Sequence, residues 1–248
     1  MSGPSAALIV VGNEVLSAKV RDENGPWAAA RLRELGVRLL AIHVVPDREE
    51  EIAAAVNAER VRAGWVFTSG GVGPTHDDVT MAAVAAALGR RLVRLPALEA
   101  ALREIHRRHH GGEPPEVALR MADVPEGTRL LGDPGYPTPA VENVVILPGP
   151  PRFFRHQFEQ VAPLLRGPPF RLAMVYLSVG EERFAERLAQ LARAFPAVEI
   201  GSYPRFDEGA DHRVRVTVEA RDGEAVRAAL AALRAALPPE WIVRVDEP

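Results

Sequence analysis

A chain of 248 residues is too long for one small domain and too short for three, at roughly 150 residues per domain; its 47% hydrophobic and 25% charged content is that of a globular protein. A formal charge of −3 argues against a nucleic-acid-coating protein, and the absence of cysteine excludes disulfide scaffolds, thiolate metal sites and a cysteine nucleophile. Apolar runs such as 6–11 and 144–147 fall far short of the roughly 18–20 residues that span a bilayer, and residues 1–5 are too short and uncharged for a signal peptide, so a cytoplasmic protein with no membrane partner is expected.

In chain order, Ala6–Val11 reads as a strand buried on both faces. A polar stretch, 12–25, precedes a helix opening at Pro26 with Asn24 as its cap and ending at Gly36. Leu39–Val45 is a second strand. Asp47 and Glu50 have the spacing of a capping box for a helix reaching about Arg62. Trp65–Ser69 is a third strand, and a helix over about 78–88 follows. This alternation predicts a mostly parallel sheet with helices on both faces. A short strand at 92–95, a helix from Pro96 to about Arg108, a proline-containing stretch to Pro139, a strand at 143–147 and a helix to Leu165 complete the first part.

Gly167-Pro168-Pro169 reads as a linker. Beyond it the order is β-α-β-β-α-β, the split βαβ arrangement. The expected fold is therefore a three-layer α/β/α domain over 1–168, followed by a smaller α+β domain, ferredoxin-like or KH-like, over 170–248.

The segment Thr68–Thr80 carries the chemistry. It lies between a buried strand and a helix, where open α/β sheets bind ligands. Its three glycines let the backbone approach an anion, and their N–H groups can face phosphate oxygens. Phosphate or nucleotide contacts are thus expected from Ser69, Gly70, Gly71, Gly73 and Thr75. Asp77 and Asp78 are candidate catalytic residues, and each has an alternative role as a helix cap. Two carboxylates beside a phosphate loop repel a phosphate unless a divalent cation lies between them. His76 adjoins the loop as a phosphate contact or a solvated residue.

Gly70–Thr80, together with Gly12-Asn13-Glu14-Val15-Leu16, Asp22–Asn24, Val44–Asp47 and Leu147-Pro148-Gly149-Pro150-Pro151, resembles the molybdopterin-binding domain family. Its branches include molybdopterin adenylyltransferases, the N-terminal domain of competence/damage-inducible protein A and the N-terminal half of eukaryotic FAD synthase. Val141–Val144 and Gly201–Pro204 look like counterparts of motifs in the last of these.

The resemblance implies several things. Asp78 is the aspartate tied to catalysis, Glu14 is an acidic metal candidate with Asp78, and Pro148, Gly149 and Pro150 shape the pocket. Asp22, Asn24 and Asp47 are further pocket candidates. It implies a divalent cation (magnesium, manganese or cobalt), a small nucleotide or pterin ligand and a homo-oligomer. Two readings of activity stay open: hydrolysis of a nucleotide pyrophosphate such as FAD or ADP-ribose, and pterin binding or adenylation. A non-catalytic nucleotide-binding module is a third. The loop Gly132–Pro139 departs from the family in its proline content.

His106, His109 and His110 have helical spacing, but a helix C-terminus already accounts for them. All basic residues but Lys19 are arginine, which fits a GC-rich genome rather than an arginine-built phosphate surface. Arg213 and Arg215 alternate with valines as the exposed face of a strand, and no aromatic pair is evident on one strand there.

Overall fold

The computed structural model describes residues 3–207 and 209–248. The chain divides into two compact units, Met1–Gly167 and Pro168–Pro248.

The first unit opens with β1 (Ser5–Val11), α1 (Asn13–Leu16), α2 (Asn24–Glu34), β2 (Arg38–Val45) and α3 (Glu49–Arg60). β3 (Trp65–Ser69), α4 (Thr80–Ala87), β4 (Leu92–Arg94), α5 (Pro96–His110) and α6 (Glu116–Leu119) follow. β5 (Asp123–Pro125), β6 (Arg129–Leu131), β7 (Thr138–Val141), β8 (Val144–Leu147) and α7 (Pro151–Leu165) complete it. The main sheet has the order β2-β1-β3-β8-β7-β6. Its first four strands are parallel, β7 runs antiparallel to β8, and β6 antiparallel to β7.

β1 shows why the unit has three layers. Side chains alternate across a strand, and both faces of β1 are apolar. Ala6, Leu8 and Val10 pack with Ala28 and Leu32 of α2 and with Phe154, Phe158 and Val161 of α7. Ala7, Ile9 and Val11 pack with Ile52 and Val56 of α3 and with Ala83 and Val84 of α4. The expected α/β/α architecture is observed. β4 stands outside the main sheet and pairs antiparallel with β5.

Three local expectations are corrected. Asp47 caps no helix; Arg48 occupies the N-cap of α3 without a side-chain bond, and Asp47 Oδ2 instead accepts the Asn13 N–H at 2.7 Å. Asn24 is the first residue of α2 rather than its cap, and its side chain is spent elsewhere. α4 begins at Thr80 with Val79 as N-cap, so neither Asp77 nor Asp78 caps it.

The second unit contains β9 (Arg171–Leu177), α8 (Ala185–Ala194), β10 (Glu199–Pro204), β11 (Val214–Ala220), α9 (Gly223–Ala236) and β12 (Ile242–Asp246). Its sheet has the order β10-β11-β9-β12, and every neighbouring pair is antiparallel. That is the ferredoxin-like alternative. Val175, Leu177, Val214, Val216 and Val218 pack with Leu191 of α8 and with Val226, Leu230 and Leu233 of α9. Asp222 caps α9, accepting the Glu224 N–H at 2.9 Å. No described helix in the chain is long and apolar enough to cross a membrane.

Candidate functional site

Val10 of β1 lies opposite Ser69 of β3, and Ser69 opposite Leu147 of β8. The three strands are parallel, so the turns at Gly12, Gly70–Gly73 and Pro148–Pro150 leave the sheet at one end. β1 sits between β2 and β3, so this end lies beside a reversal of strand order, where open sheets form ligand crevices. A cavity of about 580 Å³ opens here, a volume suited to a small organic ligand.

The floor is the loop after β3. Gly70 and Gly71 have φ of +103° and +66°, values that L side chains rarely adopt. A side chain at Gly70 would overlap the Val11 carbonyl oxygen, and one at Gly71 the Thr80 hydroxyl. Thr80, fully buried at the start of α4, clamps the loop: its Oγ1 donates to Gly70 O and its N–H to Gly71 O, each at 2.9 Å. The Gly70 N–H is spent on Leu147 O at 3.1 Å. Among the described residues the N–H groups of Gly71, Val72 and Gly73 make no hydrogen bond within the protein, whereas that of Gly70 does.

Asn24 joins the walls. Its Nδ2 donates to Ser69 Oγ at 2.8 Å and to Gly149 O at 2.7 Å. Its Oδ1 is buried without a partner among the described residues, an acceptor left for a ligand or a water. Asp22 accepts the N–H groups of Asn24 and Gly25 at 2.9 and 3.0 Å, fixing the turn that presents Asn24.

Asp78 reaches the cavity because the segment before α4 is not helical. Asp78 Oδ2 accepts the Thr75 N–H at 2.8 Å, and the Thr75 hydroxyl lies 2.5 Å from it and 2.6 Å from Asp77 Oδ1. The hydroxyl bond holds the Asp77 carboxyl below the usual carboxylate range. Glu14, Asp22 and Glu23 also line the cavity, with Arg21 as a basic neighbour. An aromatic wall completes it. Tyr136, in the loop before β7, stacks on Phe153 of α7 with ring centres 5.9 Å apart, and burial pushes the Tyr136 phenol up.

Of the residues singled out from sequence, Glu14, Asp22, Asn24, Ser69, Gly70, Gly71, Gly73, Asp78, Pro148, Gly149 and Pro150 line this one cavity. Thr75, His76, Asp77 and Asp47 do not; Thr75 and Asp47 act instead as supports for neighbouring loops. Sequence reasoning missed Arg21, Met121, Tyr136 and Phe153. The signal for Tyr136 was its place in the proline-rich loop.

Among the described residues no three acidic or histidine side chains converge to hold a metal by themselves. Glu14 and Asp78 are nevertheless hard oxygen donors beside a ligand cavity. Magnesium-like ions commonly take one or two carboxylates and complete their shell with ligand phosphates and water. The residues present fit a cation bound in that way.

The family described as a probable molybdopterin binding domain matches residues 7–167. The chain belongs to this family. The FAD synthase middle domain family matches residues 169–246. A protein of Aeropyrum pernix is 37% identical over 245 residues, covering 94% of this chain and 91% of its own length. A probable FAD synthase of Caenorhabditis elegans is 30% identical over 256 residues, covering 93% of this chain and 49% of its own, so the chain spans about half of that relative. The solved structure of the protein CinA from Thermoplasma acidophilum, described as of unknown function, has a TM-score of 0.58 and 28% identity, covering 66% of this chain and 98% of that one. The molybdopterin-binding resemblance expected from the glycine–aspartate loop is thereby established.

Proposed function

We propose that the first unit hydrolyses a nucleotide pyrophosphate of the FAD or ADP-ribose type, with a divalent cation and as a homo-oligomer. The observation that carries this reading is the position of the Asp78 carboxylate at the rim of a cavity floored by three unspent N–H groups. The amides of Gly71, Val72 and Gly73 hold the charged oxygens of one phosphate. Asp78 orients a water and takes its proton as the water oxygen bonds to phosphorus. The bridging P–O bond breaks, and the bridge oxygen leaves on the other phosphate. The Thr75 bonds fix the carboxylate before the substrate arrives. Tyr136 and Phe153 give a planar group an apolar surface to rest against. A magnesium, manganese or cobalt ion bound by Asp78 and Glu14 would supply the positive charge that lets phosphates share the cavity with these carboxylates.

The family match favours a second reading, in which the same cavity takes a pterin. The test is product release from FAD, ADP-ribose and NADH with each cation, beside molybdopterin binding by calorimetry. Cation-dependent cleavage of one dinucleotide is expected. Tight molybdopterin binding without cleavage of any dinucleotide would establish the second reading instead, and nucleotide binding without turnover a non-catalytic module.

A further inference from the structure

The sheet face of the second unit turned away from α8 and α9 carries an ordered row. Tyr203 of β10 lies opposite Arg215 of β11, Arg215 opposite Tyr176 of β9, and Tyr176 opposite Arg244 of β12. Directly opposed residues share a face, and the core is built from their neighbours Val175, Val214 and Val216. The Arg215 guanidinium lies 5.2 Å from the centre of the Tyr203 ring, and that of Arg244 3.7 Å from the Tyr176 ring. With Pro204, Arg205 and His212 these four side chains line a cavity of about 360 Å³.

Charge decides what the cavity takes. Three guanidinium groups line it, and among the described residues no carboxylate does. Asp207 pairs with Arg205 at 3.0 Å, and Asp211 with Arg244, but neither lines the space. Arg215 has no acidic partner among the described residues. His212, only 4% exposed, is oriented by a 2.6 Å bond from Nδ1 to Asp211 Oδ1 and packs edge-on to Tyr176. Arg205 and Arg244 share their charge with Asp207 and Asp211, whereas Arg215, beside the Tyr203 ring, keeps its N–H edge open, the fork that matches a phosphate. The Tyr203 ring is itself seated: a Cβ at position 201 would come within 2.8 Å of it, so Gly201 makes room for it.

We propose that this is a second ligand site, binding the phosphate of a mononucleotide-sized ligand, with the Tyr203 edge and Pro204 as its apolar side. A volume near the low end of ligand cavities, about 300–1,000 Å³, fits one nucleotide rather than a dinucleotide. The guanidinium groups that line it supply the positive charge for a phosphate themselves, whereas the described carboxylates Glu14, Asp22, Glu23 and Asp78 line the cavity of the first unit.

The test is equilibrium dialysis of the full chain with ADP in excess chelator, at about 0.15 M salt, where weak surface attraction is screened. The wild type binds one equivalent of ADP. Arg215→Ala weakens this at least tenfold, and Arg215→Lys, which keeps the charge but not the fork, falls between. Both arginine variants alter an exposed side chain, and a melting temperature equal to that of the wild type confirms that they fold. No ADP binding by the wild type, or equal binding by Arg215→Ala, overturns the site. An eight-residue oligouridylate that binds ten times more tightly than ADP overturns the mononucleotide assignment in favour of single-stranded RNA.

Discussion

Asn24 and Gly149 are 125 positions apart and meet through a 2.7 Å hydrogen bond from Asn24 Nδ2 to the Gly149 carbonyl oxygen. The same Nδ2 reaches Ser69, so one buried amide links the starts of α2 and α7 to the end of β3. Replacing Asn24 with Ala leaves Ser69 Oγ and Gly149 O without their donor. A loss of about 1–3 kcal/mol is expected from such orphaned groups. Denaturant unfolding measures it, and calorimetry with the ligand should show weaker binding in the same variant.

Asp78 caps no helix, and its Oδ2 is held by the Thr75 N–H and hydroxyl. Asp78→Asn keeps the shape and removes the charge. Turnover should fall about a hundredfold or more, the scale of a lost general base, with a melting temperature close to that of the wild type. Excess chelator should abolish wild-type turnover. Full activity in either case would remove the cation-assisted reading.

Gly73 offers a probe of position rather than charge. A Cβ there would lie 2.7 Å from Asp78 Oδ2, while its backbone is not in the left-handed region. Gly73→Ala should therefore displace the carboxylate without straining the loop. A tenfold or greater fall in kcat, with near-normal thermal stability, is the expected result. Gly71→Val is a poorer probe, because its side chain would overlap buried Thr80 and unsettle the fold as well as the site.

Phe158 is fully buried, with ring centres 5.0 Å from Phe67 and 5.3 Å from Trp27. Phe158→Ala should cost about 3–5 kcal/mol through lost burial and a residual cavity. At about 2–4 °C per kcal/mol for a chain of this size, calorimetry should show melting roughly 10 °C lower.

A chain shortened to residues 1–167 should stay soluble and unfold cooperatively. Gly167 itself belongs with the first unit, since its N–H donates to Leu35 O at 2.9 Å. The second unit has an apolar cluster of its own, drawn from residues between 173 and 245. Aggregation of the shortened chain under all conditions, monitored by light scattering, would count against this boundary.

Continuous apolar runs made β1, β3 and β8 legible from sequence, because a strand buried on both faces needs no partner to be recognised. The glycine–aspartate loop was legible for a similar reason: its constraints are local. β6 and β7 were not. They have three and four residues, one contains Pro139, and neither has room for a period. Helix starts were misread at Asp47 and Asp78 because a carboxylate at the right spacing can serve a loop as well as a helix. Tyr136 and Phe153 come together from separate elements, so no spacing marks them as a pair. The row through Tyr203, Arg215, Tyr176 and Arg244 requires strand register, which alternation alone does not provide; its two tyrosines stand on β10 and β9, with β11 between them, so no single strand carries the pair.

The cavity walls come from the ends of β1, β3 and β8, and β8 joins the sheet only after some seventy-five residues have intervened since β3. Such non-local pairing forms late and slowly. A half-built sheet therefore offers no pocket: without Gly149 in place, Asn24 has nothing to tie and the glycine loop has no opposite wall. Ligand occupancy is then a report on completed folding. At a hundred times its dissociation constant a ligand that binds only the finished unit adds about 2.7 kcal/mol to its stability. A cell rich in the ligand would hold more of this chain intact, and scarcity would expose it to proteolysis before any change in its synthesis.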